Sequence, residues 1–154
     1  MRRRTLLKGT MSAGTLLVAA SAGLLSPQHV MAAWPKAAFS AKRIEDAVQT
    51  LAGTSSMTTD DTSVTLKAPP IAENGAEVGV TVSTSLPNVD AISIFVEKNN
   101  SPLTGTFLLR GANPFVRTRI KVGKSSNVVA VVRSNGKLFT TKRMIKVTIG
   151  GCGG

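Results

Sequence analysis

Val128-Val129-Ala130-Val131-Val132-Arg133 and Lys137-Leu138-Phe139-Thr140-Thr141 are joined through Asn135-Gly136. Two adjacent residues that both tolerate positive φ are what a tight type I′ hairpin needs, so the stretch predicts two antiparallel strands. The same period of two extends outward on both sides. Val78, Val80 and Val82 alternate with Gly79, Thr81 and Ser83; Ile92, Ile94 and Val96 alternate with Ser93 and Phe95; Val116, Thr118, Ile120 and Val122 alternate with Arg117, Arg119 and Lys121. Such alternation marks half-buried strands. Turn signals lie between them at Asn74-Gly75, Leu86-Pro87-Asn88, Asn99-Asn100-Ser101-Pro102, Asn113-Pro114 and Gly123-Lys124. Seven short strands at spacings of about ten residues predict an all-β chain, an antiparallel sandwich of immunoglobulin type. With one cysteine in the sequence no disulfide can bridge the sheets, and apolar burial alone must hold the core.

Residues 40–53 are the one segment with helical periodicity. Ile44, Ala47, Val48 and Leu51 fall on one face, with Ser40 placed to cap the start and Gly53 the end. The face is expected to pack on its own domain or on a subunit. At the other end of the chain Ile145, Val147 and Ile149 alternate until Gly150, with Arg143 and Lys146 beside them. Beyond Gly150 no side chain is available for burial except that of Cys152, so residues 150–154 are expected to form a flexible glycine-rich arm on the end of the last strand.

The first thirty or so residues read as an address label. Arg2-Arg3-Arg4-Thr5-Leu6-Leu7-Lys8 precedes a mildly apolar stretch from Met11 to Leu25 and a small residue at Ala32, which suits signal peptidase. The stretch is too short and weak for a retained membrane anchor. Arg3 and Arg4 with the following leucines resemble a twin-arginine export signal, Leu6 standing where that motif often has Phe; an ordinary secretory signal is the alternative. The expected division is therefore a signal peptide over residues 1–32, a sandwich domain over 33–149 and the arm over 150–154, with the mature protein in the periplasm. The twin-arginine route exports folded proteins, often with a cofactor or a bound partner. His29 falls in the leader, which leaves no recognisable metal or haem site, so a co-exported subunit is the better expectation.

Without residues 1–32 the chain keeps fifteen of nineteen basic residues and all eight acidic ones, a net charge of +7. No nucleic-acid role is expected, because the compartment argues against it and Trp34 with five Phe and no Tyr would supply a poor stacking platform. The charge suits steering of small anions or acidic partners; a merely solvated basic surface fits as well.

Cys152, the single cysteine, admits three readings: a buried small side chain, half of an intermolecular disulfide, or a reactive thiol. Gly150, Gly151, Gly153 and Gly154 supply nothing to bury it against. Glycine makes the thinnest and least restricted chain, a geometry suited to passing a thiol down a narrow channel into another protein's active site. A structural disulfide would not require it. A free thiol titrates near 8.5; Arg143 and Lys146, close in sequence, favour the thiolate, while the α-carboxylate of Gly154 opposes it. The acidic residues Glu45, Asp46, Asp60, Asp61, Glu73, Glu77, Asp90 and Glu97 show no metal-binding spacing. Glu45-Asp46 and Asp60-Asp61 are better explained by a solvated helix face and a loop than by acid–base pairs. The chain reads as one that presents a substrate and does not transform it, with no catalytic residue, no metal and no cofactor.

Four segments carry a family resemblance: Val147-Thr148-Ile149-Gly150-Gly151-Cys152-Gly153-Gly154, Ala33-Trp34-Pro35, Ile71-Ala72-Glu73-Asn74-Gly75 and Asn127-Val128-Val129-Ala130-Val131-Val132. Through them the chain resembles the SoxY family, the Y subunits of the Sox thiosulfate-oxidising system. The resemblance implies that Cys152 is the covalent attachment site for thiosulfate-derived sulfur. A c-type haem enzyme of SoxAX type would join thiosulfate to it, and a manganese-dependent SoxB-like hydrolase would release sulfate. A SoxCD-like molybdenum and haem dehydrogenase would oxidise the remaining sulfane where one exists. It also implies a heterodimer with a second β-sandwich, a SoxZ-like subunit without an export signal. Other readings remain: an exported structural or adhesion sandwich cross-linked through Cys152, a ubiquitin-like carrier, and a periplasmic enzyme. Export, the internal cysteine and the sandwich pattern count against the second, and the third lacks candidate residues.

Overall fold

The computed structural model describes residues 35–148, so residues 1–34, with the expected signal peptide, and the segment 149–154, with Cys152 and its four glycines, lie outside the described residues. Two short helices, α1 (Lys36–Ser40) and α2 (Ile44–Ala52), precede nine strands. These are β1 (Met57–Thr59), β2 (Val64–Lys67), β3 (Ile71–Ala72), β4 (Val78–Thr84), β5 (Val89–Val96), β6 (Leu103–Leu108), β7 (Phe115–Ile120), β8 (Ser126–Ser134) and β9 (Lys137–Val147). They form an all-β sandwich. One sheet runs β1-β9-β8-β5-β6 with β3 also on β9, and the other runs β2-β4-β7. The long pairings are antiparallel; β1 and β3 add short parallel pairings to β9, a departure from the all-antiparallel expectation.

The Asn135-Gly136 hairpin forms as its residues require. Ser134 pairs with Lys137, and Asn135 and Gly136 hold φ of 49° and 73°, the doubly positive pair of a type I′ turn. Asn88, also at positive φ, donates from Nδ2 to Asn135 Oδ1 at 3.0 Å and ties the β4–β5 turn to this one.

Between the sheets, Val78, Val80 and Val82 of β4 meet Ile92, Ile94 and Val96 of β5 and Val128, Ala130 and Val132 of β8. Alternation did not predict the second core. Phe95, Val129, Val131 and Leu138 point out of the other face of the large sheet and are covered by Ala38, Ala47 and Val48 of the helices. β5 and β8 are therefore buried on both faces, as near-continuous apolar runs are. The apolar face of α2 thus packs on its own domain.

The helix begins later than the sequence periodicity suggests. Ser40 ends α1 and caps nothing; Arg43 is the N-cap of α2 and makes no side-chain capping bond. Glu45 and Asp46 in the first turn supply the negative charge that a helix start favours. Gly53 does close the helix, in the left-handed conformation at φ 73°.

Candidate functional site at the end of the last strand

β9, at eleven residues, outruns its neighbour, for its pairing with β8 stops at Ile145 opposite Ser126. Other groups take over the last three described residues. Lys146 N–H donates to Pro70 O at 2.9 Å, and Thr148 N–H donates to Ala72 O at 3.1 Å. On the opposite side Val147 N–H donates to Ser125 Oγ at 2.9 Å. The strand is thus gripped from both edges up to Thr148.

Local sequence explains the grip. Pro69-Pro70 cannot donate hydrogen bonds and holds the chain extended, which presents Pro70 O to β9. Ile71-Ala72 then runs parallel to Lys146-Val147 as β3. Asn74 turns the chain away, its Oδ1 accepting from Ala76 N–H at 3.0 Å. Gly75 closes the clamp against the core: a Cβ there would lie 2.4 Å from Val122 O and 2.9 Å from Val147 Cγ1. In return Val122 N–H donates to Gly75 O at 2.7 Å. Only glycine lets the two backbones meet. The segment Ile71–Gly75 and the end of β9, separate in sequence, are one structural unit.

Gly150, Gly151, Cys152, Gly153 and Gly154, expected from the sequence to form an arm, and Arg3 and Arg4, expected to direct export, lie outside the described residues. Cys152 follows Thr148 by four residues. At roughly 3.3–3.6 Å per residue its Cα can reach no further than about 14 Å from the Thr148 Cα. Lys146 is exposed, opposite Ile71. Arg143 is engaged elsewhere, its Nε donating to Leu66 O at 3.0 Å across the sandwich edge.

Five of the acidic residues fall where a structural role explains them. Asp60 Oδ1 accepts from Ser63 N–H at 2.9 Å and from the Thr62 hydroxyl at 2.7 Å. The Ser63 amide first, and the Thr62 hydroxyl next, hold its carboxyl down at about 2. Asp61 accepts from the Thr141 hydroxyl at 2.6 Å. Glu77 pairs with Arg119 and Asp90 with Arg133, both at 2.6 Å, and Glu97 accepts from Asn127 at 2.9 Å. Among the described residues no three His, Cys, Asp or Glu side chains come together as a metal site. No described helix is long and apolar enough to cross a membrane.

A family model for sulfur oxidation protein SoxY matches residues 48–152, from α2 through the single cysteine. The chain belongs to the SoxY family. A solved structure of the sulfur carrier protein SoxY from Chlorobium limicola f thiosulfatophilum is 42% identical, covering 70% of this chain and 97% of that one at a TM-score of 0.62. A superoxide reductase (neelaredoxin) from Ignicoccus hospitalis superimposes at a TM-score of 0.53, with 20% identity over 60% of this chain and 94% of that one. That second likeness is one of fold alone. No curated protein matches. As a member of the SoxY family the chain is a carrier in sulfur oxidation and not an enzyme.

The sequence singled out Cys152 and Ile71–Gly75 without linking them. Ser125 was missed altogether, because a serine next to a strand carries no pattern. The Pro69-Pro70 pair was its nearest available signal, since two prolines followed by two apolar residues favour an extended edge segment.

Proposed function

We propose that this chain presents thiosulfate-derived sulfur on the Cys152 thiol to partner enzymes in the periplasm. The observation that carries the reading is the clamp at residues 146–148. A rigid strand end is followed, within four residues, by a lone thiol flanked by glycines, and the family match runs through that thiol. A fixed root and a thin tether let one carrier deliver its cargo to several active sites in turn.

The chemistry balances on one sulfur. The Cys152 thiolate and the outer sulfur of thiosulfate form a disulfide bond, and the two electrons released pass to a c-type haem enzyme of SoxAX type. Water then cleaves the bond between the sulfane sulfur and the sulfonate in a SoxB-like hydrolase, which releases sulfate and two protons and leaves a persulfide on Cys152. A SoxCD-like dehydrogenase oxidises that sulfane where present. The chain supplies no catalytic group in these steps; it supplies reach and placement.

Export by the twin-arginine route, read from Arg3 and Arg4, would carry the folded chain out together with a SoxZ-like subunit. The test is incubation of the mature protein with thiosulfate and a SoxAX-type enzyme, followed by peptide mapping under non-reducing conditions. A reducible thiosulfate adduct on the peptide holding Cys152 is expected. A disulfide-linked dimer as the sole product would favour a cross-linking role.

A further inference from the structure

A sheet edge offers a row of unpaired N–H and C=O groups to any passing strand, and proteins blunt such edges with charge, proline, brevity or a covering element. Five strands bound the two sheets, β1, β3 and β6 in the larger and β2 and β7 in the smaller. Four of them are defended. β1 and β3 are only three and two residues long. β2 leans on β9 through the bond from Arg143 Nε to Leu66 O. β7 presents exposed Arg117 and Arg119, and Lys121 O just beyond it accepts from Asn99 Nδ2 at 2.8 Å.

β6 is covered only at its start, where α1 packs against it and Leu103 is buried; the rest of the strand has none of these devices. Leu103-Thr104-Gly105-Thr106-Phe107-Leu108 contains no charge and no proline. It pairs with β5 alone, and among the described residues no hydrogen bond engages the backbone on its other side. Its hydroxyls are occupied toward β5: Thr104 donates to Ile94 O at 2.8 Å, and Thr106 and Ser93 share a bond of 2.9 Å. The register shift at Ile94/Phe95 is confined to the start of the strand, so Gly105–Leu108 pairs regularly with β5. The strand ends on Leu108, 64% exposed.

We infer that β6 is the edge through which this chain takes on a second subunit, accepting an uncharged or acidic extended strand of a different polypeptide as a continuation of the large sheet. The inference rests on the proposed heterodimer. Charge selects against a second copy as the occupant. Arg110 follows one end of β6, and Lys42 Nζ donates to Asn100 O near the other. An antiparallel pairing of two β6 strands would bring cations to cations at both ends, on chains already at +7.

The experiment compares amide hydrogen exchange in the mature chain alone and in complex with a SoxZ-like subunit. Exchange over residues 103–109 is expected to slow by about tenfold or more in the complex. Leu108→Lys, which charges the edge at an exposed position, is expected to weaken the complex by about tenfold and leave the isolated chain's melting temperature unchanged. Phe115→Lys, at another exposed apolar residue, on the other sheet, should leave the affinity unchanged. Unchanged exchange over 103–109, whether no complex forms or another surface is covered, overturns the inference. So does concentration-dependent protection of 103–109 in the chain alone, which would mark a second copy as the occupant. Thiosulfate adducts on Cys152, scored on the same samples, decide the carrier reading separately.

Discussion

Adding one methyl group at Gly75 should loosen the end of β9. In Gly75→Ala the new Cβ would lie 2.4 Å from Val122 O and 2.9 Å from Val147 Cγ1. The oxygen is backbone and cannot rotate away, and the same residue's N–H bonds Gly75 O at 2.7 Å. Either the two segments part and weaken that hydrogen bond, worth about 1 kcal/mol, or Val147 is displaced from the core. Overpacking of this kind costs about 1–3 kcal/mol. Gly75 does not hold a left-handed φ, so alanine also restricts the unfolded chain and returns about 0.4–1 kcal/mol. The net expectation for Gly75→Ala is a loss of about 1–3 kcal/mol. Gly79→Ala is the companion, since no atom lies within 4 Å of a Cβ at Gly79; it should be neutral or gain up to about 1 kcal/mol. Urea unfolding of both variants gives the difference, and hydrogen exchange at Lys146 and Thr148 should quicken in Gly75→Ala alone. Equal stabilities within about 0.5 kcal/mol would refute the close-approach argument.

Further outcomes are expected elsewhere in the chain. Val48→Ala, at a helix residue 2% exposed against the outer face of the large sheet, should destabilise by about 2–3 kcal/mol in urea unfolding; an effect under about 0.5 kcal/mol would show that α2 is not part of the core. Asp60 has a folded pKa lowered from 3.8 to about 2, so its carboxylate stabilises the fold above pH 4 and that contribution is lost as pH falls toward 2. Asp60→Asn should therefore differ most from the wild type above pH 4 and converge with it near pH 2 in acid unfolding curves; a constant gap would remove the carboxylate from the explanation. Replacing Arg3 and Arg4 by Lys keeps the leader's charge, and accumulation of precursor in the cytoplasm is expected on fractionation. Normal export would point to the ordinary secretory signal.

The parts of this fold that were legible in advance are those where one local pattern meets one local cause. Asn135-Gly136 announces its hairpin because both residues adopt positive φ readily, and Val78-Val80-Val82 reads as a one-sided strand because its sheet is covered on one face only. Phe95, Val129 and Val131 were harder, since a residue on the outer face of a sheet is buried or exposed according to whether a distant helix lies over it. Ser40 was misplaced because a capping residue beside an apolar run does not reveal that α1 ends there first. β3 is two residues long and parallel, and the end of β9 is held by Pro70 O and Ala72 O on that edge and by the Ser125 hydroxyl on the other; so short a tertiary clamp leaves no period to read. At the site, Cys152 stood out by being alone among glycines, whereas the residues that fix the strand before it are tens of positions away.

The central claim concerns one thiol, and mass spectrometry addresses it most directly. Intact and peptide masses of the mature protein would be recorded without reductant, before and after thiosulfate and an active SoxAX-type enzyme, alongside Cys152→Ser. The account predicts a reducible thiosulfate adduct confined to the Cys152 peptide, absent from the serine variant, whose urea midpoint stays that of the wild type. An adduct elsewhere, or unmodified monomer and disulfide dimer alone, would contradict it.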